Sequence, residues 1–214
     1  MRRNVRLVIF DLDGTLTPVD SLWRYLHDTF GTWDSGRIAA ARYRRGEISY
    51  KEWAETDAGY WAGAALSDVM KVIEQIPYQE GAREVFEELK RRQVKIAIVS
   101  AGLSLLANRA ATELGADVAF SNELETNDGR LTGGIVVKVA VNNKKEVIEQ
   151  VAAEFKIPLK DVALVGDRAF DLSHDECFKI AFNPKDEIAR READVVVSDD
   201  NLTRILQYLI EEVQ

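Results

Sequence analysis

The sequence predicts an α/β protein: a doubly wound, mostly parallel sheet with a small helical domain inserted near its start and a β-hairpin near its middle. Three observations predict it. Short apolar, β-branched runs recur at Val5 to Phe10, Val94 to Val99, Val162 to Val165, Ile180 to Phe182 and Val195 to Val197, and unbroken apolarity marks strands buried on both faces. Helix-length amphipathic stretches separate most of these runs, the alternation that builds a parallel sheet covered on both sides. No strand-like run occurs between Thr17 and Pro77.

The elements follow in order. The opening MRRNVRLVIFDLDG reads as a first strand rather than a signal peptide, because Asp11 and Asp13 cut its apolar run short. Within the strand-free stretch, Ser49 with Glu52 and Ser67 with Asp68 mark helix starts, giving three or four helices. The expected division is therefore a core of residues 1–16 and 78–214 and a helical cap of 17–77. Further helices are expected over Ala82 to Arg92, Leu103 to Leu114, Lys144 to Phe155 and Asn201 to Glu211, with Asn143 and Glu146 spaced as a capping box. Asn127, Asp128 and Gly129 form a turn signal between FSNELET and RLTGGIVVKV, as a hairpin requires.

Composition narrows the function. The 214 residues carry 28 Lys and Arg against 36 Asp and Glu, a formal charge of −8, so no basic footprint for nucleic acid exists. No apolar run is long enough for a membrane span. Cys177 stands alone and the two histidines, His27 and His174, lie far apart, which excludes a disulfide framework or a zinc cluster and fits a reducing, cytoplasmic setting. A monomer and a homodimer are both compatible.

The chemistry concentrates in DLDGTLT. Asp11 and Asp13 stand at the carboxyl edge of the first strand, where ligands bind in doubly wound sheets. Gly14 permits a tight turn and Thr15 can hydrogen-bond locally to hold it. VSAG places Ser100 at the end of the second run, NNKKEV places Lys144 at a helix start, and VGDRAFD places Asp167 and Asp171 after a later strand. This ordered set resembles the haloacid dehalogenase superfamily, Rossmann-like hydrolases, and within it the phosphoserine phosphatase-like branch.

The resemblance implies a phosphatase acting on a small phosphorylated metabolite through an aspartyl-phosphate, with magnesium as cofactor. Asp11 is then the nucleophile, and Asp13 the general acid for the leaving oxygen and the later base for water. Asp11, Asp167 and the main-chain carbonyl of Asp13 bind the metal, supported by Asp171 directly or through water. Ser100 and backbone amides at Gly14 and Ala101, with Thr15 beside them, hold phosphoryl oxygens, and Lys144 balances charge. Lys145 is read as a solvated neighbour.

In the insert the resemblance implies that Asp20 contacts a substrate amino group and that Tyr50 is the pocket aromatic. Asp57 stands where the family has an arginine for a substrate carboxylate, and an acid there repels one. Arg42, Arg44 or Arg45 can substitute. In the last motif, Arg168 points toward phosphate or outward, and Phe170 cannot hydrogen-bond. All four tryptophans, Trp23, Trp33, Trp53 and Trp61, fall in the insert, where core packing is their default and a pocket for a bulkier, less charged leaving group the alternative. His27 and His174 are expected at the surface, Cys177 in the core. A phosphotransferase and a non-catalytic phosphometabolite-binding module are the competing readings.

Overall fold

The computed structural model describes residues 4–210. β1 (Leu7–Phe10) precedes four helices, α1 (Leu22–Thr29), α2 (Trp33–Arg44), α3 (Tyr50–Gly59) and α4 (Leu66–Glu74), and then come α5 (Ala82–Arg91) and β2 (Lys95–Leu103). Next are α6 (Ser104–Ala110), β3 (Val118–Asn127), β4 (Arg130–Val136), α7 (Lys144–Glu154), β5 (Val162–Gly166), β6 (Phe178–Phe182), α8 (Glu187–Glu192), β7 (Val195–Val197) and α9 (Leu206–Leu209). The strands lie in the order β4-β3-β2-β1-β5-β6-β7. All pairs are parallel except the β3–β4 hairpin.

The two-residue period of the strands divides the core between the faces. Val8, Phe10, Ile96, Ile98 and Val165 pack beneath α5 and α6, whereas Leu7, Ile9, Ala97, Val99 and Leu164 pack beneath α7 and α8. Because both faces are covered, no polar alternation survives in the central strands, and the sequence shows continuous apolar runs instead. α5 buries Ala82, Val85, Phe86 and Leu89, one stripe at helical spacing, and its Phe86 ring sits 5.1 Å from that of Phe10. Cys177 is buried in the second layer. Among the described residues no helix is long and apolar enough to cross a membrane.

All five apolar runs form strands, and the hairpin turns at Asp128 and Gly129, both with positive φ as a two-residue turn demands. Several helix boundaries differ from expectation. The Asn143 side chain does not cap α7; its Oδ1 accepts from Ala140 N at 2.7 Å, tightening the preceding turn instead. α4 begins at Leu66 rather than at Ser67, because Leu66 N donates to Gly129 O of the hairpin at 2.9 Å and a tertiary bond takes the place of a side-chain cap. The stretch from Asn201 is a 3₁₀ turn leading into α9, and Glu211 lies outside the described residues. α8, too short to show a period, is capped by Asp186, which accepts from Ala189 N.

The inserted helices are joined by a buried polar knot. Ser49 and Glu52 form the expected capping box of α3. His27 on α1 is 1% exposed, with Nδ1 2.7 Å from Thr32 Oγ1 and Nε2 3.1 Å from Asp57 Oδ2 on α3. Trp61 Nε1 donates to the same Thr32 oxygen at 3.3 Å. His174 is buried too, its Nε2 3.3 Å from Glu149 Oε1. Both histidines therefore depart from the expected surface position, each with its Nε2 beside a carboxylate.

The hairpin grips the insert through Gly63 N to Leu131 O and Leu131 N to Ala64 O, at 2.8 and 2.9 Å. Gly36 of α2 faces His27 so closely that a Cβ would stand 2.6 Å from the ring. Gly36→Ala should therefore destabilise the protein by roughly 1–3 kcal/mol through overpacking, read as a lower midpoint in thermal unfolding; an unchanged midpoint would show that the His27 knot can shift freely.

Candidate active site

The site forms where the winding of the sheet reverses, at the carboxyl ends of β1, β2 and β5. Asp11 follows β1 directly, and its N–H donates to Val165 O at 2.9 Å. Asp167 follows β5, and Asp171 stands in the 3₁₀ turn after it. Their carboxylates and that of Asp11 are buried, with ligand atoms all within 4.8 Å of one another. Two glycines allow this crowding. A Cβ on Gly14, whose φ is +82°, would lie 2.4 Å from Asp167 Oδ2, and one on Gly166 would lie 2.2 Å from Asp171 Cβ.

Lys144, the first residue of α7, is 2% exposed and reaches Asp11 Oδ1 at 2.6 Å and Asp171 Oδ1 at 2.5 Å. Burial alone would push its ammonium down, but the charges of Asp11 and Asp171 outweigh it and hold the group above the usual lysine range. Phe170 lies under this ammonium, 5.4 Å from Nζ to the ring centroid, so the residue that cannot hydrogen-bond offers a ring face to the charge. Lys145 is exposed.

One ammonium does not balance three carboxylates. Burial pushes Asp167 up to about 8 and Asp171 up to about 7, with the charge of Asp11 adding to both. Asp167 Oδ2 is buried without a hydrogen-bond partner. Crowded oxygens, excess negative charge and an orphaned carboxylate oxygen fit a hard divalent cation.

Asp13 is differently held. Its Oδ2 accepts from Leu22 N, the first residue of α1, at 2.7 Å, while Oδ1 has no partner. Burial raises its pKa to about 7, the Leu22 N–H working against the rise and the charge of Asp11 with it. The proton of the neutral acid therefore belongs on Oδ1, the oxygen that accepts nothing. Thr15 does not make the local bond expected of it: its hydroxyl is buried and unpartnered, and Thr17 Oγ1 donates to Leu12 O instead. Ser100 Oγ accepts from Gly102 N at 2.9 Å, beside Ala101.

A cavity of about 570 Å³ opens from these groups into the insert, walled by Trp23, Trp33, Tyr43, Trp53 and Asp57. Trp61 packs in the core, whereas the other three tryptophans reach the cavity. Tyr50 lines it as well, but its hydroxyl is bonded to Ala101 O, and Trp23 Nε1 donates to the same carbonyl. Both present ring surface, not polar heads, to the cavity. Asp20 lies at the mouth with Oδ1 2.9 Å from Lys185 Nζ. Asp57 faces His27, and burial raises its carboxyl above the usual range. Arg44 and Arg168 line the cavity, whereas Arg42 and Arg45 pair with Glu47.

Four positions were not singled out from the sequence: Leu22, Gly102, Asn122, whose Nδ2 donates to Ala101 O at 2.9 Å, and Lys185. Gly102 alone carried a signal, as the last residue of VSAG. The others act through a backbone N–H, a lone buried amide and a surface lysine, none of which has a sequence pattern.

A model of the haloacid dehalogenase-like hydrolase family matches residues 8–174. A phosphoserine phosphatase of Archaeoglobus fulgidus is 34% identical over 97% of this chain, which spans 60% of that protein's length. One from Methanocaldococcus jannaschii is 31% identical over 98% of this chain and the whole of that protein. Among solved structures, a substrate-bound phosphoserine phosphatase complex superposes with a TM-score of 0.83 at 29% identity, covering 98% of this chain and all of that one. The sheet order, the buried carboxylates and the matched length place the chain in the haloacid dehalogenase-like hydrolase family.

Proposed function

We propose that the protein is a magnesium-dependent phosphatase that hydrolyses a small phosphomonoester through an aspartyl-phosphate on Asp11. The observation that carries this reading is the pairing of two unlike carboxyls: Asp11 held by Lys144, and Asp13 with a raised pKa and a free Oδ1. Residues 17–77 act as a cap over a core of 1–16 and 78–214.

In this mechanism the Asp11 oxygen that Lys144 does not hold attacks phosphorus. Asp13 donates the proton on Oδ1 to the departing alkoxide, then, as carboxylate, takes a proton from the water that hydrolyses the acyl-phosphate. Ser100 and the amides of Gly14 and Ala101 hold the phosphoryl oxygens, with the Thr15 hydroxyl close by. Asp11, Asp167 and the Asp13 carbonyl, with Asp171 in support, would hold magnesium, which when bound would supply positive charge against the phosphate dianion. Asp11→Asn should lower turnover by roughly a thousandfold or more, measured as phosphate release, and chelation should abolish it; full activity in either case refutes the mechanism.

The same carboxylates make stability depend on pH. Folded-state values near 7 and 8 against an ordinary 3.8 mean that the folded protein binds more protons than the unfolded chain between about 4 and about 8. Chelated protein should therefore lose stability as pH rises through that window, and magnesium should raise the melting temperature more at pH ~8 than at pH ~5.5. A magnesium effect independent of pH would count against this cluster as the metal site.

Phosphoserine is the first substrate to test, because the relatives bear that name. Asp57 sits against His27, which leaves Arg44 as the insert cation on the cavity wall with no carboxylate partner among the described residues. If Arg44 holds the substrate carboxylate, Arg44→Ala raises KM for phosphoserine roughly ten- to a hundredfold and leaves KM for an aryl phosphate unchanged. Preference of the wild type for the aryl ester would instead assign the aromatic wall to a less charged leaving group.

A further inference from the structure

One carbonyl in the site belongs to neither the sheet ladder nor the reacting groups. Val99 faces Phe120 and Leu103 faces Asn122, so Ser100 to Gly102 bulge against a single residue of β3. The bulge frees Ala101 O from strand pairing. Three donors converge on it: Trp23 Nε1 at 3.1 Å, the Tyr50 hydroxyl at 2.5 Å and Asn122 Nδ2 at 2.9 Å. Two of them come from the insert, on α1 and α3.

The third is anchored in the core. Asn122 is fully buried, its Oδ1 accepts from the N–H groups of Lys138 and Val139 at 2.8 and 2.9 Å, and its Nδ2 also donates to Tyr50 Oη at 3.1 Å. Ala101 C=O and Gly102 N–H belong to one rigid peptide plane. The far end of that plane donates to Ser100 Oγ at 2.9 Å. With one lone pair thus occupied, the serine hydroxyl keeps its proton for an acceptor elsewhere. Gly102 allows the approach: a Cβ there would stand 3.0 Å from Ser100 Oγ and 3.2 Å from Asp13 Oδ2.

We propose that Trp23 and Tyr50 are positioning residues that couple seating of the insert to phosphoryl binding: by holding Ala101 O they fix the Ala101–Gly102 peptide and aim the Ser100 hydroxyl at the phosphoryl group. The proposal rests on the phosphatase reading of Ser100. Leu22, next to Trp23, holds Asp13 Oδ2 at the same time. Two consecutive residues of α1 thereby contact the acid and the phosphoryl-binding segment. By linkage, phosphate in the site must tighten the insert by the same factor that the seated insert tightens phosphate.

The test is Tyr50→Phe, which deletes the hydroxyl and keeps the ring packed against Tyr43 and Trp53. Two quantities are measured with magnesium present: calorimetric affinity for inorganic phosphate, and kcat/KM on three phosphomonoesters with different leaving groups. The expected result is a loss of roughly three- to tenfold in both, the same for every leaving group, and no further loss when Tyr50→Phe is added to Ser100→Ala. Trp23→Phe should show the same pattern and decides the matter if Tyr50→Phe does not fold. Losses that differ between leaving groups while phosphate affinity holds, or that add in full to Ser100→Ala, overturn the proposal. A wild type that releases phosphate from none of the esters refutes the phosphatase reading instead, and phosphate affinity in the variants then decides the positioning claim alone.

Discussion

The site depends on one buried ammonium. Lys144 joins Asp11, at the end of β1, to Asp171, beyond β5, across two oxygens at hydrogen-bond distance. Removing it would leave like charges facing each other in a buried cluster, and such groups protonate or move apart rather than remain ionised. Even with Lys144 in place, burial and, after it, the charge of Asp11 push Asp167 and Asp171 toward the neutral form. A divalent cation among the three carboxylates would offset their excess negative charge. That offset is the physical link between the buried charge and the chemistry.

Missing side chains matter as much as the charged ones. Gly14, Gly102 and Gly166 each lie where a Cβ would meet Asp167, Ser100 or Asp171 at 3.0 Å or less. At Gly14 the backbone conformation also calls for glycine, since its φ is +82°. The strand ends thus hold three segments, two of them carboxyl-bearing, closer than ordinary side-chain packing allows.

The insert contributes aromatic rings whose polar atoms are largely turned away from the cavity. Trp23 and Tyr50 are committed to Ala101 O, and Trp61 to Thr32. The insert wall is accordingly largely aromatic, with Arg44 as a cation that has no carboxylate partner among the described residues. Asp57 is an acid in sequence but faces His27 in space, inside the knot that joins α1 to α3.

The sequence by itself determined the parts that follow from local or periodic patterns. Continuous apolar runs specify strands buried on both faces, the Asn-Asp-Gly turn specifies the hairpin, and the aspartates of DLDGTLT and VGDRAFD follow closely on strands whose ends must converge in a doubly wound sheet. Tertiary structure alone decided the rest. Leu22 serves through a main-chain N–H that every residue except proline has; Asn122 matters because three distant groups surround it; and the two histidines are buried because Thr32 and Asp57, or Glu149, face them. Periodicity reports which face a residue shows to the core, whereas a hydrogen-bond partner far along the chain is fixed only when the elements pack.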